Sequence, residues 1–506
     1  MVIPKEVKKI MEKLQEAGFE AFIVGGCVRD FLLGIKPKDW DVTTNAKPEE
    51  IQKVFPNSFY ENNFLTVTVR TGSKNEAAAL AGASLASSGR EVEITTYRLE
   101  AKYSDKRHPD EVKYAKKIED DLSRRDFTVN AMALRLEKKP ARNASHSDAG
   151  GEVTDLFDGQ KDLESKTIRT VGNPEERFNE DALRMLRAVR FATTLKFKIE
   201  EKTKEAIKKN SFWLEAISKE RIRDEFVKII MADAAAEGIE MLGELGLLKY
   251  IVPELLENYG VAQNKHHIYD CYQHAVKSLE YAAQEKFNMY VRLASLLHDI
   301  AKARIKAGKD EQATFYNHEI VGARMVFQIL NRLKFPGKDV EKITRLVRYH
   351  MFYYNVDEVK EASVRRLIKN VGPENIEELL QVRLADRIGS GVPKAEPYKL
   401  RHFKYLVDKV SKDPISAKML KINGNDLMKL LKEKPGPKIG QILEVLLGYV
   451  LDDPKNNKKE FLEKEALKLG KLSGAELKKV AEESEEEISE VETEQDKETK
   501  QKYWVK

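Results

Sequence analysis

The sequence predicts an α+β chain, in which a small head of mixed sheet and helices precedes a long all-helical remainder. Leu65–Arg70 and Val92–Arg98 alternate apolar and polar residues, as half-buried strands do. From about Glu175 onward, apolar residues recur at spacings of three and four, which is typical of amphipathic helices. The last segment, from about Asp453 to Lys506, is dense in Lys and Glu, and this favours a solvated helix that frays into disorder.

The composition excludes wholesale disorder, because hydrophobic residues make up 42% of the 506 positions and can bury several cores. The net charge of +5 is too small to identify a nucleic-acid partner by itself. Cys27 and Cys271 fit a reducing cytosol, and Met1–Leu14 predicts an amphipathic helix rather than a signal peptide. The longest apolar stretches, such as Val445–Val450, are too short to span a bilayer. We therefore expect a cytoplasmic protein with no membrane association and no evident obligate protein partner.

A glycine turn opens the head. Glu20–Val24 is a short apolar run closed by Gly25 and Gly26, and this order predicts a strand, a tight turn and then a helix from Val28. The backbone N–H groups of such a turn are available to a triphosphate. The turn is therefore a candidate phosphate-binding element.

Two carboxylates follow the turn one residue apart, at Asp39 and Asp41. Because side chains alternate along a strand, both would point to one face, roughly 6–7 Å apart. Such a pair can hold two divalent cations, and magnesium suits oxygen ligands and substrate phosphates. Glu93, on the strand Val92–Arg98, is the candidate third carboxylate, and Glu91 shares its face. A solvent-exposed acidic pair on a loop is the alternative explanation.

Six residues in the middle of the chain form a second candidate site. They are His274, His298, Asp299, His318, His350 and Asp386. Imidazole and carboxylate ligands suit a divalent transition metal, which can activate water against a phosphoester. The order of these residues resembles the HD phosphohydrolase superfamily, and His318 and His350 match the variants that hold a second metal ion. Structural histidines, or a domain that persists only as a scaffold, are the alternatives.

The head resembles a known family. Gly25–Thr44 (GGCVRDFLLGIKPKDWDVTT) is similar to the signature of the bacterial and eukaryotic tRNA nucleotidyltransferase and poly(A) polymerase family. The likeness continues in the same order through five further segments. They are Glu93–Arg98 (EITTYR), Arg124–Ala131 (RRDFTVNA), Asp155–Leu163 (DLFDGQKDL), Glu180–Ala192 (EDALRMLRAVRFA) and Ile217–Phe226 (ISKERIRDEF). Two insertions, Thr71–Arg90 and Asn143–Gly151, depart from the family pattern.

This resemblance implies a polymerase-β-like nucleotidyltransferase head followed by an all-α neck, body and tail, with an inserted HD domain. It suggests four ranges along the chain, which are 1–138 for the head, 139–262 for the neck and body, 263–392 for the HD metal-binding domain and 393–455 for a tRNA-binding tail. The charged extension 456–506, which the composition predicts to be partly disordered, departs from the family pattern.

The resemblance also implies a reaction, in which the 3′ hydroxyl of a tRNA attacks the α-phosphorus of CTP or ATP and pyrophosphate leaves. C, C and A would be added in turn without a template, with Mg²⁺ in the head. A poly(A) polymerase and an enzyme that adds only C or only A share the head motifs and stay open. An HD phosphohydrolase, acting on 2′,3′-cyclic phosphates or as a phosphatase, is the alternative of a different class.

Ten residues are implied to contact the nucleotide, while Asp39, Asp41 and Glu93 are implied to be catalytic. The ten are Gly25, Gly26, Arg29, Arg124, Asp126, Asn130, Asp181, Arg184, Arg187 and Arg190. Among them, the residues of the RRDFTVNA segment are implied contacts to sugar and phosphate. Helix capping by Asp126 or Asn130 is the alternative role there.

Asp181 and Arg184 are the implied readers of the base. They are three residues apart, so on a helix they share a face. A carboxylate accepts from an exocyclic amine, and a guanidinium donates to a ring nitrogen or carbonyl. Cytosine and adenine both present an amine beside an acceptor, so such a pair could admit C and A and reject U and G. The alternative for Asp181 and Arg184 is an ordinary ion pair on the helix surface. Arg187 and Arg190 would contact the triphosphate or the base, or only cover the helix surface.

Overall fold

The computed structural model describes residues 2–61, 66–71, 90–101, 111–136, 151–263, 268–308, 313–352, 359–391, 398–410 and 416–473, with 476, 477 and 480. Nine strands belong to the head. They are β1 Ala21–Val24, β2 Asp41–Thr44, β3 Ser58–Glu61, β4 Thr66–Thr71, β5 Arg90–Thr96, β6 Arg98–Ala101, β7 Glu111–Tyr114, β8 Met132–Leu136 and β9 Gly151–Asp155. Seven form one mixed sheet in the order β3-β4-β5-β2-β1-β8-β9, and β6 and β7 pair separately.

The middle of this sheet positions the first site. β2 runs antiparallel to β1 and parallel to β5, so the strand that begins at Asp41 has a neighbour on each side. Four helices accompany the sheet: α1 Lys5–Glu16, α2 Gly26–Leu32, α3 Pro48–Val54 and α4 Ile118–Ser123. Residues spaced by three and four along α1 are buried, as the amphipathic pattern predicted, and they join the main hydrophobic core.

Helices make up nearly all of the described chain after the head. The neck and body contain α5 Gly159–Glu164, α6 Pro174–Glu180, α7 Leu183–Leu195, α8 Glu201–Asn210, α9 Lys219–Ile230, α10 Ala235–Glu244 and α11 Pro253–Leu256. The short strands β10 Thr167–Ile168 and β11 Lys198–Ile199 pair in parallel between them. None of the helices in the described part of the chain has the length and apolar character needed to cross a bilayer.

The later helices hold the second site and the tail. They are α12 Cys271–Gln284, α13 Met289–Leu297, α14 Lys302–Ile305, α15 His318–Arg332, α16 Gly337–Tyr349, α17 Glu361–Val371, α18 Ile376–Gly389, α19 Tyr398–Val410, α20 Gly424–Leu431, α21 Pro437–Asp452 and α22 Lys459–Leu469. Buried apolar residues of the head, body and later helices form one continuous core. Both cysteines, Cys27 and Cys271, are free and buried.

The predicted α+β fold is confirmed, and several details differ from the sequence prediction. The sheet includes β9, so it extends beyond the boundary that was predicted at residue 138. Asp39 lies in a bend before β2 and not on the strand, and Asp181 lies between α6 and α7 and not within a helix. The cores of the two insertions, 72–89 and 137–150, lie outside the described residues, as do 102–110 and 481–506.

Candidate active site and metal centre

The glycine turn lies against the first carboxylates. Gly25 has φ +80°, which favours glycine, and it is the single residue between the end of β1 and the start of α2 at Gly26. A Cβ atom added to Gly25 would lie 2.9 Å from Nη1 of Arg125 and 3.7 Å from Oδ2 of Asp41. The backbone of the turn therefore approaches the Asp41 carboxylate closely. Arg125 lies beside the turn and donates from Nη2 to Oδ2 of the buried Asp121 on α4 at 3.1 Å.

Asp41 and Glu93 face each other across two parallel strands. The register of β2 and β5 pairs Asp41 with Glu93 directly, so their side chains leave the same face of the sheet. Burial raises the pKa of Asp41 to about 6, the charges of Glu93 and Asp39 add to this rise, and Arg125 opposes it. The strand alternation expected for Asp39 is wrong, since Asp39 precedes β2, but its charge still acts on Asp41. Asp39 and Glu93 thus place negative charge near Asp41, and carboxylate oxygens are ligands that suit a divalent cation.

Four of the predicted nucleotide-binding residues form one hydrogen-bonded chain. Arg29 donates from Nη1 to Oδ1 of Asn130 at 2.8 Å, and Asn130 donates from Nδ2 to Oδ1 of Asp126 at 3.3 Å. Arg187 donates from Nε to Oδ2 of Asp126 at 2.7 Å. Burial alone would raise the pKa of Asp126, but the charges of Arg187 and Arg184 outweigh it and lower the pKa to about 2. Asp126 is therefore an anion that holds α7 to the RRDFTVNA segment.

The predicted base readers have separate partners. Asp181 accepts from Nη2 of Arg221 at 2.7 Å, and Arg184 donates from Nη1 to Oε2 of Glu180 at 2.5 Å. Arg184 also donates from Nη2 to the carbonyl oxygen of Arg124 at 3.1 Å. Asp181 has an extended backbone at the end of α6, and its carboxylate accepts the N–H of Leu183. The shared helix face that was expected for Asp181 and Arg184 is therefore wrong, because α7 begins only at Leu183.

The other two arginines of the set are also anchored by carboxylates. Nε of Arg190 lies 3.2 Å from Oε2 of Glu225, and burial lowers the pKa of Arg190 to about 10. Arg124 donates from Nη2 to Oδ1 of Asp121 at 2.7 Å. Each guanidinium keeps its place by an ion pair within the protein, and this fixes the charges before any ligand arrives.

The second site brings together all six residues that the sequence predicted for it. Three of its histidines donate from Nδ1 to the carbonyl oxygen three residues earlier, at distances of 2.7–2.9 Å. A carbonyl oxygen can only accept, so in each of these rings Nδ1 carries a proton and Nε2 is the atom directed inward. These three are His298, His318 and His350, bonded to Ser295, Phe315 and Val347.

The Nε2 atoms converge on the two oxygens of Asp299. Oδ2 lies 3.2 Å from Nε2 of both His274 and His298, and Oδ1 lies 3.2 Å from Nε2 of His318 and 3.8 Å from that of His350. Two groups of three residues could therefore each hold a metal ion, and Asp299 belongs to both. This donor set suits a divalent transition metal, as predicted.

Asp386 completes the first group. Its Oδ1 lies 3.3 Å from Nε2 of His274 and 3.6 Å from that of His298, while its Oδ2 accepts from Arg383 at 2.6 Å. Burial lowers the pKa of His298, but Asp299 and Asp386 outweigh it and raise the pKa to about 10. The buried carboxylates thus make this centre attractive to positive charge.

Comparisons with known proteins agree with this geometry. The model "Poly A polymerase head domain" matches residues 21–169, "Probable RNA and SrmB- binding site of polymerase A" matches 196–258, and "HD domain" matches 266–390. The CCA-adding enzyme of Ligilactobacillus salivarius is 35% identical over 474 residues, covering 91% of this chain and 98% of that protein. The chain belongs to the family of CCA-adding enzymes.

Two further comparisons support the assignment to the CCA-adding enzymes. The enzyme of Enterococcus faecalis is 32% identical over 468 residues, covering 90% of this chain and 94% of that protein. The crystal structure of the Bacillus stearothermophilus CCA-adding enzyme in complex with CTP is 25% identical, with a TM-score of 0.63, and covers 92% of this chain and 96% of that one. The predicted nucleotidyltransferase class and the head and HD domains are confirmed.

In this member of the CCA-adding family, the predicted site residues have ion-pair and hydrogen-bond partners that the sequence analysis did not predict. They are Asp121, Arg125, Glu180, Arg221, Glu225 and Lys302. Arg221 and Glu225 lie within the ISKERIRDEF segment, so the family resemblance indicated their segment but not their contacts. Lys302 ends the LLHDIAK sequence, and its Nζ lies 2.6 Å from Oδ2 of Asp299.

Proposed function

We propose that this chain adds C, C and A in turn to the 3′ end of tRNA in the cytosol, using CTP and ATP and releasing pyrophosphate. The observation that carries the proposal is the direct pairing of Asp41 with Glu93 on parallel strands, beside the backbone of Gly25. Membership of the CCA-adding enzymes supports the choice of tRNA, CTP and ATP as substrates.

Asp39 and Asp41 would hold Mg²⁺ in the head, with Glu93 as the third carboxylate. When bound, two such ions lower the pKa of an attacking hydroxyl and neutralise charge on a leaving phosphate. The charges of Glu93 and Asp39 act on Asp41, and together with burial they raise its pKa to about 6, which supports this use. The RNA 3′ oxygen forms a bond to the α-phosphorus, and the bond from that phosphorus to the pyrophosphate oxygen breaks.

The chain's own residues bind and orient the nucleotide. The Gly25-Gly26 turn offers its backbone to the triphosphate, and Arg29, Arg187 and Arg190 supply positive charge that is already fixed by ion pairs. Preformed ion pairs remove the need to order these side chains when the nucleotide binds.

Asp181 and Arg184 would select the base. Arg221 holds the Asp181 carboxylate, and Glu180 holds the Arg184 guanidinium, so both readers keep one orientation. A fixed acceptor and a fixed donor recognise the amine and the adjacent acceptor that cytosine and adenine share. Arg184→Ala should therefore blur the choice between the permitted and excluded bases, and nucleotide competition assays measure this.

Incubation of the purified protein with tRNA lacking its terminal CCA, and with each labelled nucleotide, tests the proposal. We expect incorporation of C, then A, and then arrest. Long A tracts would identify a poly(A) polymerase instead, and incorporation of C alone or A alone would identify a partial activity.

Asp41→Ala should abolish nucleotide addition and leave tRNA binding intact, because the carboxylate is needed for the cations and not for the RNA backbone. Filter binding and single-turnover addition measure the two properties. Glu91→Ala is the matched control, since Glu91 lies on the same strand as Glu93 but is 55% exposed and pairs with Arg70. Addition retained by Asp41→Ala would contradict the metal role.

We propose, as a second activity, hydrolysis of phosphoesters at the HD site, with 2′,3′-cyclic phosphates and phosphomonoesters as substrates. The supporting observation is that Asp299 belongs to two buried groups of possible metal ligands. Divalent transition metals held there would supply Lewis-acid activation of water. Opening of a 2′,3′-cyclic nucleotide to its phosphomonoester, and release of inorganic phosphate from a nucleoside 2′-monophosphate, are expected for the wild type and should be lost in Asp299→Asn. Equal hydrolysis of these substrates by both proteins would contradict the proposal.

A further inference from the structure

The ring of Phe191 lies among the three arginines that the proposed function assigns to the triphosphate. The guanidinium carbon of Arg190 is 4.0 Å from the ring centroid, that of Arg29 is 5.2 Å away, and that of Arg187 is 5.4 Å away. A cation within about 6 Å of an aromatic ring is attracted by the ring's quadrupole, and the attraction increases when water is excluded. Phe191 is only 8% exposed, so the contacts are largely shielded from water.

The three arginines come from two separate elements. Arg29 lies on α2 of the head, whereas Arg187 and Arg190 lie on α7, the helix that also carries Phe191. Like charges at such short range repel one another, and each guanidinium is offset by a carboxylate of its own. The pairs are Arg29 with Asp30, Arg187 with Asp126 and Arg190 with Glu225.

The ring provides a form of attraction that a further carboxylate could not provide. A fourth acidic side chain would hold the arginines together but would repel an incoming triphosphate. An aromatic face attracts cations without carrying a net charge, so the cluster stays attractive to anions. An aliphatic side chain such as leucine would fill the same space without this attraction.

A second aromatic ring holds Phe191 in place. The rings of Phe127 and Phe191 lie edge to face, with centroids 5.7 Å apart and an interplanar angle of 79°. Phe127 is fully buried and is part of the RRDFTVNA segment, next to Asp126. The orientation of the Phe191 ring is therefore coupled to the segment that binds Arg187 and, through Asn130, Arg29.

We propose that Phe191 is a positioning residue for nucleoside triphosphates, whose ring gathers Arg29, Arg187 and Arg190 into one anion-binding surface. This proposal rests on the proposed nucleotidyl transfer, because it takes the triphosphate as the ligand of the three arginines. Since CTP and ATP carry the same triphosphate, the ring acts on both nucleotides equally.

Stepwise fluorination of the ring separates this role from simple packing. Phenylalanine analogues with one, two and three fluorine atoms at position 191 keep the shape of the side chain and progressively weaken the quadrupole. The dissociation constants of CTP and ATP for the full-length protein, measured by calorimetry, should rise with each fluorine and reach about threefold to thirtyfold with three. The same series at Phe197, which is buried just beyond the end of α7, is the matched control.

Kinetics provide the second measurement. In the fluorinated series the KM values for CTP and ATP should rise by a common factor while kcat stays unchanged, since the arginines bind the triphosphate and not the base. Phe191→Leu should likewise raise the KM values for both nucleotides without changing kcat. Phe191→Tyr keeps the aromatic face and should retain the KM values of the wild type. A purely structural role would instead lower the melting temperature without a graded change in KM.

The outcomes distinguish the two proposals. If the wild type adds CCA and the affinity for both nucleotides is constant along the series, the role of Phe191 is refuted and the proposed function stands. If affinity falls with fluorination but the wild type extends no tRNA, the role of Phe191 is supported and the proposed function is refuted.

Discussion

Asp126 shows how one buried carboxylate depends on its neighbours. Its pKa is lowered from 3.8 to about 2, although burial opposes this, because Arg187 and Arg184 stabilise the charged form. A folded-state pKa below the unfolded value means that the interaction stabilises the fold fully above about pH 4. This stabilisation, about 2 kcal/mol, is lost as the pH falls from about 4 towards 2.

Replacement of Asp126 by Asn should remove this contribution. We expect the wild type to be more stable than Asp126→Asn at pH 6, and the difference to shrink as the pH falls below about 4, because the carboxyl group of the unfolded wild type then takes up a proton while that of the folded protein is still ionised. Urea unfolding of both proteins from pH 6 to pH 3 measures the difference. A gap that stays constant with pH would show that the carboxylate charge does not stabilise the fold.

At the same scale, the sequence predicted candidate site residues but not the partners that the structure gives them. The spacing of Asp181 and Arg184 suggested a pair on one helix face, yet Asp181 bonds to Arg221 and Arg184 to Glu180. The contact from Asp181 to Arg221 spans 40 residues, so local periodicity carries no information about it. The family resemblance indicated the segments from which both partners come, because Arg221 and Glu180 lie within two of them.

At the scale of the structural elements, the turn after β1 requires glycine for two reasons. An alanine at residue 25 would combine a positive φ with a Cβ 2.9 Å from Arg125. We expect Gly25→Ala to abolish most nucleotide addition, since the turn and Arg125 must both shift beside Asp41. Gly34→Ala is the control, because Gly34 also has a positive φ but nothing lies within 4 Å of its added Cβ. Equal loss of addition in both variants would indicate backbone strain alone.

Arg292 joins the body to the HD helices. It is 2% exposed, and it donates to the carbonyl oxygens of Phe287, Ile230, Ala232 and Ala283. Ile230 ends α9 and Ala283 lies in the last turn of α12, so one guanidinium satisfies carbonyls at two helix ends.

Loss of this side chain should be costly. Arg292→Met leaves several buried carbonyl oxygens without donors, and we expect a loss of about 3 kcal/mol or more in unfolding free energy. Arg304→Met removes an exposed ion pair with Glu257 and should lose less than about 1 kcal/mol. Chemical denaturation of both variants provides the comparison, and similar losses would contradict a special role for Arg292.

The prediction that Asp39 and Asp41 alternate along one strand is wrong for a physical reason. The alternation rule placed Asp39 and Asp41 on one strand, but β2 begins only at Asp41 and Asp39 lies in the preceding bend. Proline at residue 37 and the bend at 38 and 39 precede the first ladder pairing, so the alternation does not apply there. The pairing of Asp41 with Glu93 depends on strand register, which no local pattern specifies.

At the scale of the whole molecule, the sequence predicted the order of the head and HD domains, but not the end of the head sheet or the contacts between the domains. Hydrophobic periodicity separated the sheet from the helical remainder near Glu175, because it reports local structure directly. The edge strand β9 follows an insertion, and its pairing with β8 extends the head past residue 138. Contacts such as that of Arg223 with the carbonyl group of Lys334 link body to HD domain over 111 residues.

The two sites share no residue, although one continuous core connects them. The possible metal ligands of the HD site lie between His274 and Asp386, and the proposed residues of the head site lie between Gly25 and Arg190. Each site is held by ion pairs and hydrogen bonds within its own elements. Distant sites without common partners usually act independently.

This independence gives a prediction for His298→Ala. The variant should lose tightly bound transition metal, measured by elemental analysis, because one ligand of the first group is gone and Asp299 and Asp386 each lose one of their imidazole partners. Addition of CCA should stay within about twofold of the wild type, since no head residue changes its surroundings. Thermal unfolding should show a lower transition for the part of the chain that holds the metal. A fall of about tenfold or more in nucleotide addition by a folded variant would instead mean that the HD centre is coupled to the head through the body.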